Sequence, residues 1–261
     1  MRVFSGFEGL PVFRNAVVTV GSYDGVHRGH RVLLDTVMRL ARERDGESVV
    51  VTFSPHPREV LDPQGVRLLN TLPEKIELLD AVGIDNLIVV SFDREFSKVP
   101  YDVFISEYLV GRIGMKVYVS GYNHHFGAGK QGGPASMSDM ALKLGFEYYR
   151  VPRCDVGSSK VSSTVIRGYV ERGDIAAASR LLGYDYFLLG CLNDGHAVRA
   201  GSALKLLPPP DIYHVRVRMG GRAFKGTATV RNNGDVRLCE PIMHSVSSAA
   251  SSGEQLKVEF V

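Results

Sequence analysis

The chain has 261 residues, 44% of them hydrophobic, and its 31 Lys and Arg against 28 Asp and Glu leave a formal net charge of +3. This length accommodates two unequal cores, and the basic residues are scattered rather than gathered in a stripe, so no nucleic-acid partner is expected. The opening MRVFSGFEGLPVFRN lacks the basic start and apolar core of a signal peptide, and no apolar stretch reaches the ~18 residues of a membrane span, so a cytoplasmic enzyme without a membrane partner is expected.

In chain order, short apolar runs predict strands at Ala16 to Val20, Ser48 to Phe53, Asn86 to Phe92, Lys116 to Ser120 and Phe146 to Val151. Between the first two, Gly29 to Arg44 reads as a helix with Val32, Leu33, Val37, Leu40 and Ala41 on one face. Thr71-Leu72-Pro73-Glu74 is a capping-box start for a helix stopped by Gly83, and further helices fit Val103 to Arg112 and Ala135 to Leu144. The class is α/β, a Rossmann-like doubly wound parallel sheet, in which ligands bind beyond the carboxyl ends of the strands.

From Ser163 the pattern changes to a short helix, a break at Gly173, and a helix from Asp174 to Leu182 closed by Gly183. Runs at Tyr186 to Leu192, Ile212 to Met219, Ala223 to Val230, Asp235 to Cys239 and Leu256 to Val261 then predict a small antiparallel β-barrel. Pro208-Pro209-Pro210 reads as a stiff connection and Ser245 to Gly253 as a long mobile loop. The expected domains are 1–184 and 185–261. Cys154, Cys191 and Cys239 are odd in number and far apart, so neither a zinc knuckle nor a redox pair is indicated.

The first strand runs into Gly21-Ser22-Tyr23-Asp24-Gly25-Val26-His27-Arg28-Gly29-His30, and a helix begins within it. Amide donors and the positive end of a helix dipole suit phosphate there, and Gly21, Gly25 and Gly29 permit tight turns and close backbone approach. His27 and His30, three apart, can point the same way and donate to phosphate oxygens. A glycine-rich turn with two solvated histidines is the plain alternative. No third ligand stands at a zinc spacing, and the Gly-Lys-Ser or Gly-Lys-Thr of a Walker loop is absent.

A strand followed by Gly-x-x-Asp-Gly-Val-His-x-Gly-His resembles the bacterial FAD synthetases, bifunctional riboflavin kinase and FMN adenylyltransferase proteins. Thr52-Phe53-Ser54-Pro55-His56-Pro57, Gly121-Tyr122-Asn123-His124-His125-Phe126-Gly127 and Val161-Ser162-Ser163-Thr164-Val165-Ile166-Arg167 agree in order and approximate spacing. Leu181 to Tyr186 is similar to that family's joint between domains. The resemblance implies adenylyl transfer from ATP to FMN, giving FAD and pyrophosphate. His27 and His30 would be catalytic, and Gly21, Ser22, Tyr23, Asp24, Gly25, Gly29, Ser162, Ser163, Thr164 and Arg167 would bind ATP. Phe53, His56, Asn123, Phe126 and Lys160 would lie toward FMN. It also implies Mg²⁺ arriving with ATP, held by phosphates and water because no dedicated carboxylate cage is evident; no protein metal ligand is assigned.

The chain departs from the family pattern at Ser22, Ser54 and Val165, where the family commonly carries Asn or a similar residue, Glu, and Arg. Loss of that Arg is expected to weaken triphosphate binding. The riboflavin kinase stretch Gly-Phe-Pro-Thr-Ala-Asn has no counterpart in Gly195 to Leu204, and Glu240 is the only acid near the family's later catalytic position. A shortened barrel without kinase activity is therefore expected, with self-association as one role for it. Two other readings stand beside this one: transfer to another phosphorylated metabolite, and a catalytically silent flavin or nucleotide sensor.

Overall fold

The computed structural model describes residues 1–62, 66–122, 133–156, 159–193, 197–232, 234–249 and 254–261. Its contacts divide the chain into two compact units, Met1–Val66 with Glu77–Asp155, and Arg67–Ile76 with Val156–Val261. The sequence boundary at 184/185 marks the onset of the barrel strands, whereas this division counts the two preceding helices with the barrel.

The first unit is built on six parallel strands: β1 (Arg2–Ser5), β2 (Val17–Val20), β3 (Ser48–Ser54), β4 (Asn86–Ser91), β5 (Val117–Ser120) and β6 (Glu147–Arg150). They lie in the order β1-β4-β3-β2-β5-β6. The sequence reading did not anticipate β1. It is an edge strand whose residues are mostly exposed, so it carries no apolar run. The order reverses at β2: the chain passes to β3 and β4 on one side and to β5 and β6 on the other. This is the switch point at which open α/β sheets form a crevice.

Helix α1 (Arg28–Glu43) packs on β2, β3 and β5, burying Leu33, Leu34, Val37, Leu40 and Ala41. Val32, assigned to the buried face from the sequence, is 38% exposed, and Leu34 takes its place. The other face of the sheet presents Val18, Val20, Val49, Val51, Ile88 and Val90 to Phe104, Ile105, Leu109, Met137 and Met140. A short helix α2 (Pro57–Leu61) follows β3, and α3 (Leu72–Val82) ends at Gly83, whose φ of +94° suits a helix stop.

The helix expected over Val103 to Arg112 is a single α turn, α4 (Tyr101–Val103), running into a π-helical segment, Phe104–Arg112, with the Ile113 N–H donating to the Tyr108 carbonyl at 3.1 Å. Apolar periodicity cannot separate the two forms over so short a run. Helix α5 (Pro134–Leu144) carries Pro at its start and Gly145 in the left-handed conformation at its end.

The second unit holds the short strand β8 (Ser159–Lys160), α6 (Ser163–Glu171), α7 (Ile175–Leu182) and a closed barrel; β7 (Asp155–Val156) lies at the division between the units. The barrel strands are β9 (Phe187–Asn193), β10 (Ala197–Ala200), β11 (Ile212–Met219), β12 (Arg222–Val230), β13 (Asp235–Leu238) and β14 (Gln255–Phe260), in the order β10-β13-β12-β11-β14-β9. Every neighbouring pair is antiparallel. Gly220 and Gly221, both at positive φ, make the two-residue turn between β11 and β12.

Part of the stretch read as a mobile loop, Ser245 to Gly253, is helical: α8 spans Ile242–Ala249. Ile242 and Val246, four apart, are buried in the barrel core, and this anchors a helix whose Ser-rich composition suggested a loop. Residues 250–253 lie outside the described ones. Strand β10 was also missed, being only four residues long.

One buried ion pair stands out in this unit. The Lys205 Nζ donates to Glu74 Oε2 at 2.8 Å, to the Leu69 carbonyl at 2.7 Å and to the Phe187 carbonyl at 2.6 Å. Both side chains are 0% exposed. Glu74 also accepts from the Thr71 N–H, as its capping-box position predicts, and from the Leu189 N–H, each at 2.8 Å. A fully satisfied pair of this kind ties residues 69–74 to β9 and costs little only while both partners are present.

Candidate active site

The segment after β2 is a tight, largely buried turn. The Gly21 N–H donates to the Val51 carbonyl at 3.0 Å and Thr52 Oγ1 donates to the Ser22 carbonyl at 3.4 Å, fastening the loop to the carboxyl end of β3. Three of the next five residues have positive φ: Tyr23 at +48°, Gly25 at +89° and Val26 at +33°. Only the glycine adopts this region without cost, so the tyrosine and the β-branched valine are held there by their surroundings. Asp24 and His27 are buried as well, at 4% and 6% exposure.

His27 is the N-cap of α1: its Nδ1 accepts from the His30 backbone N–H at 3.2 Å. Its ring stacks on that of His30, with centroids 3.7 Å apart and planes within 9° of parallel. Burial lowers the His27 pKa from 6.5 to about 4, against smaller opposing effects of Asp24 and of a backbone hydrogen bond. The imidazole is therefore neutral near pH 7, and because Nδ1 accepts, its proton sits on Nε2. This is a sharper state than two solvated histidines: one buried, fixed tautomer stacked on a half-buried partner. Gly29, at the second helical position, keeps side-chain bulk away from the first turn.

Phe53, at the end of β3, packs half-buried against Phe92 and Phe96, with ring centroids at 5.5 and 6.1 Å. His56 is a second histidine N-cap: its Nδ1 accepts from the Arg58 N–H at 3.1 Å, and Glu59 accepts from the His56 N–H at 2.8 Å. The sequence reading placed His56 near a ligand and did not foresee that one of its nitrogens serves α2. Asn123 and Phe126 lie outside the described residues.

Lys160, Ser162, Ser163, Thr164 and Arg167 belong to the second unit. Ser162 caps α6, accepting from the Val165 N–H at 3.4 Å, and Ser163 and Thr164 begin the helix. Lys160 is exposed on β8. The Arg167 Nε donates to the Arg67 carbonyl at 2.8 Å. Val165, where the sequence reading missed an Arg, packs against the hydrophobic core of this unit. Among the described residues no group of three or more His, Cys, Asp or Glu side chains is placed so that it could hold a metal ion. Also among them, no helix is long and apolar enough to cross a membrane.

A parallel sheet with a histidine-capped helix at its switch point, joined in one chain to an antiparallel barrel, defines a nucleotidyltransferase of the His-x-Gly-His type. The model of the FAD synthetase family matches residues 11–165. The bifunctional riboflavin kinase/FMN adenylyltransferase of Listeria monocytogenes is 30% identical over 235 residues, 84% of this chain and 73% of its own length. The Escherichia coli protein of that name is 34% identical over 194 residues, which cover 73% of this chain but 62% of the relative. The Haemophilus influenzae one is 29% identical over 95% of this chain and 85% of its own. The chain belongs to the FAD synthetase family.

Among solved structures, a Streptococcus pneumoniae protein described as a macrolide-efflux protein superposes with a TM-score of 0.82, covering 100% of this chain and 90% of its own at 21% identity. That likeness establishes the fold alone.

Proposed function

We propose that this protein is a cytoplasmic FMN adenylyltransferase that has lost riboflavin kinase activity, with residues 1–184 carrying the transfer and 185–261 forming a catalytically silent barrel. The observation that supports the reading most is the stacked His27 and His30 pair on the first turn of α1, at the switch point of the sheet.

In this reading a phosphate oxygen of FMN attacks the α-phosphorus of ATP in line. A new P–O–P bond forms, the bond to the bridging oxygen breaks, and pyrophosphate leaves with that electron pair. No covalent enzyme intermediate is needed. Negative charge gathers on the leaving oxygen and the non-bridging α-oxygens, where fixed donors lower the barrier most because they need no reorganisation. His27 supplies such a donor: a neutral imidazole with its proton on Nε2, locked by the cap through Nδ1. It binds and orients without giving up a proton. His30, stacked on it, donates alongside, and the α1 dipole adds positive potential. Gly21 to Gly25, Gly29, Ser162, Ser163, Thr164 and Arg167 are assigned to ATP; Phe53, His56, Asn123, Phe126 and Lys160 to FMN. Mg²⁺, carried in on the phosphates, would offset their charge.

Loss of the kinase is inferred from the missing Gly-Phe-Pro-Thr-Ala-Asn stretch and from a barrel interior filled by its own apolar side chains, Val198, Val215, Val217, Val236 and Val258 among them, with Ile242 of α8 packed on Gly226. Glu240 is partnered by His244 at 3.3 Å. Purified protein incubated with ATP, Mg²⁺ and either FMN or riboflavin, followed by chromatography, tests both parts. FAD from FMN and no FMN from riboflavin is the expected pattern. Turnover of riboflavin at an enzymatic rate would restore the kinase, and FMN binding without FAD formation would leave a sensor.

A further inference from the structure

Tyr23 is the most enclosed side chain of the glycine-rich turn, yet nothing in the proposed chemistry uses it beyond its backbone. It is 1% exposed and sits at φ +48°. Backbone hydrogen bonding between β2 and β5 ends at Val18 and Tyr118, two residues before either strand does, so the strands part at their carboxyl ends. The Tyr23 side chain reaches back to β2. Its hydroxyl bonds to Thr19 Oγ1 on β2 at 2.9 Å. Burial pushes its phenol well above the ordinary range, against a smaller opposing effect of the Thr19 hydrogen bond.

Two further contacts give the ring a direction. A Cβ on Gly21 would stand 3.1 Å from it, so any side chain at residue 21 would push the ring by a few tenths of an ångström. On its other side the ring meets His30, centroids 5.2 Å apart at an interplanar angle of 62°. His30 is thus held between an edge contact to Tyr23 and a parallel stack on His27. A histidine on the first turn of a helix would otherwise turn freely about its side-chain bonds toward solvent. A left-handed tyrosine persists where several contacts over-determine it, and here they converge on one catalytic candidate.

We propose that Tyr23 is a positioning residue, whose ring, braced by Thr19 and Gly21, fixes the plane of the His30 imidazole in its stack on His27. The consequence for turnover rests on the adenylyl-transfer reading above; the geometric part does not.

The test has a ligand-free arm and a kinetic arm. In the free protein, NMR should show cross-relaxation between Tyr23 and His30 ring protons. Tyr23→Leu should shift the His30 ring resonances and broaden them. In turnover with ATP and FMN, Tyr23→Leu should lower kcat about tenfold or more while KM changes little, because a misplaced donor acts on the transition state. Tyr23→Phe, which keeps the ring, should recover most of that loss. Absence of the cross-relaxation in the wild type overturns the proposal even where Tyr23→Leu fails to fold. A folded Tyr23→Leu protein with unchanged His30 resonances, or with a merely lower Tm and unaltered kcat, overturns it too. Should the wild type make no FAD, the adenylyl-transfer reading falls, and the NMR arm alone decides the role of Tyr23.

Discussion

Replacing His27 by Asn should alter how stability depends on pH. The His27 imidazole is buried, accepts the α1 cap bond at Nδ1, and titrates near 4 instead of 6.5. Above pH 6.5 neither the native nor the unfolded chain protonates it. As the pH falls from 6.5 to 4 the unfolded chain takes up a proton that the native one refuses, so native stability declines across that window and levels off below it. The loss amounts to about 3 kcal/mol by pH 4. Asn is a good N-cap and does not titrate, so it keeps the helix start and removes this dependence. Urea unfolding of both proteins from pH 7.5 to 4, followed by far-UV circular dichroism because the chain has no Trp, gives the comparison. The difference between the two curves cancels the titrating groups that His27 does not contact. It should be flat above pH 6.5 and then grow, with the wild type losing about 3 kcal/mol relative to the variant. Curves that stay parallel to pH 4 would refute a buried, neutral His27.

Lys205→Met leaves the Glu74 carboxylate buried without its cation and should destabilise the protein by about 3 to 5 kcal/mol, read as a lower urea midpoint. Adding Glu74→Gln should cost less than the two single changes summed, since they act on one pair; additive losses would argue against the contact. Gly190→Ala would place a Cβ 2.1 Å from the Arg199 carbonyl oxygen, so the β9 and β10 pairing must give way and Tm should fall; an unchanged Tm contradicts this close approach. Ile242→Ala should cost about 2 to 4 kcal/mol by undocking α8 from the barrel, and a loss below about 0.5 kcal/mol would mean the helix carries no anchoring load.

Legibility in the sequence followed how local each determinant is. The strands that form the centre of the sheet announce themselves as continuous Val-rich runs, and the helix stops at Gly83, Gly145 and Gly183 are positions where only a residue tolerant of positive φ ends a helix well. Strand β1 was hidden because an edge strand needs no apolar run, and α8 because serine reads as loop although its buried pair is Ile242 and Val246. The His-x-Gly-His turn was legible as the start of a helix directly after a strand, but the separate structural roles of its two histidines were not. That His27 caps the helix through one nitrogen follows from its extended backbone, φ −68° and ψ 172°, which no residue pattern encodes alone. Nothing local in the sequence singles out Lys205, since its carboxylate partner lies 131 residues away.

Transfer of the α-phosphate of ATP tests the central claim most directly. With ATP labelled at that phosphate, the label should enter FAD in step with release of unlabelled pyrophosphate, one for one. His30→Ala should lower the rate by about a hundredfold or more, the scale of losing one fixed donor to the transition state, with FMN affinity little altered. Label that never reaches FAD, or a His30→Ala protein that transfers it at the wild-type rate, would contradict the account.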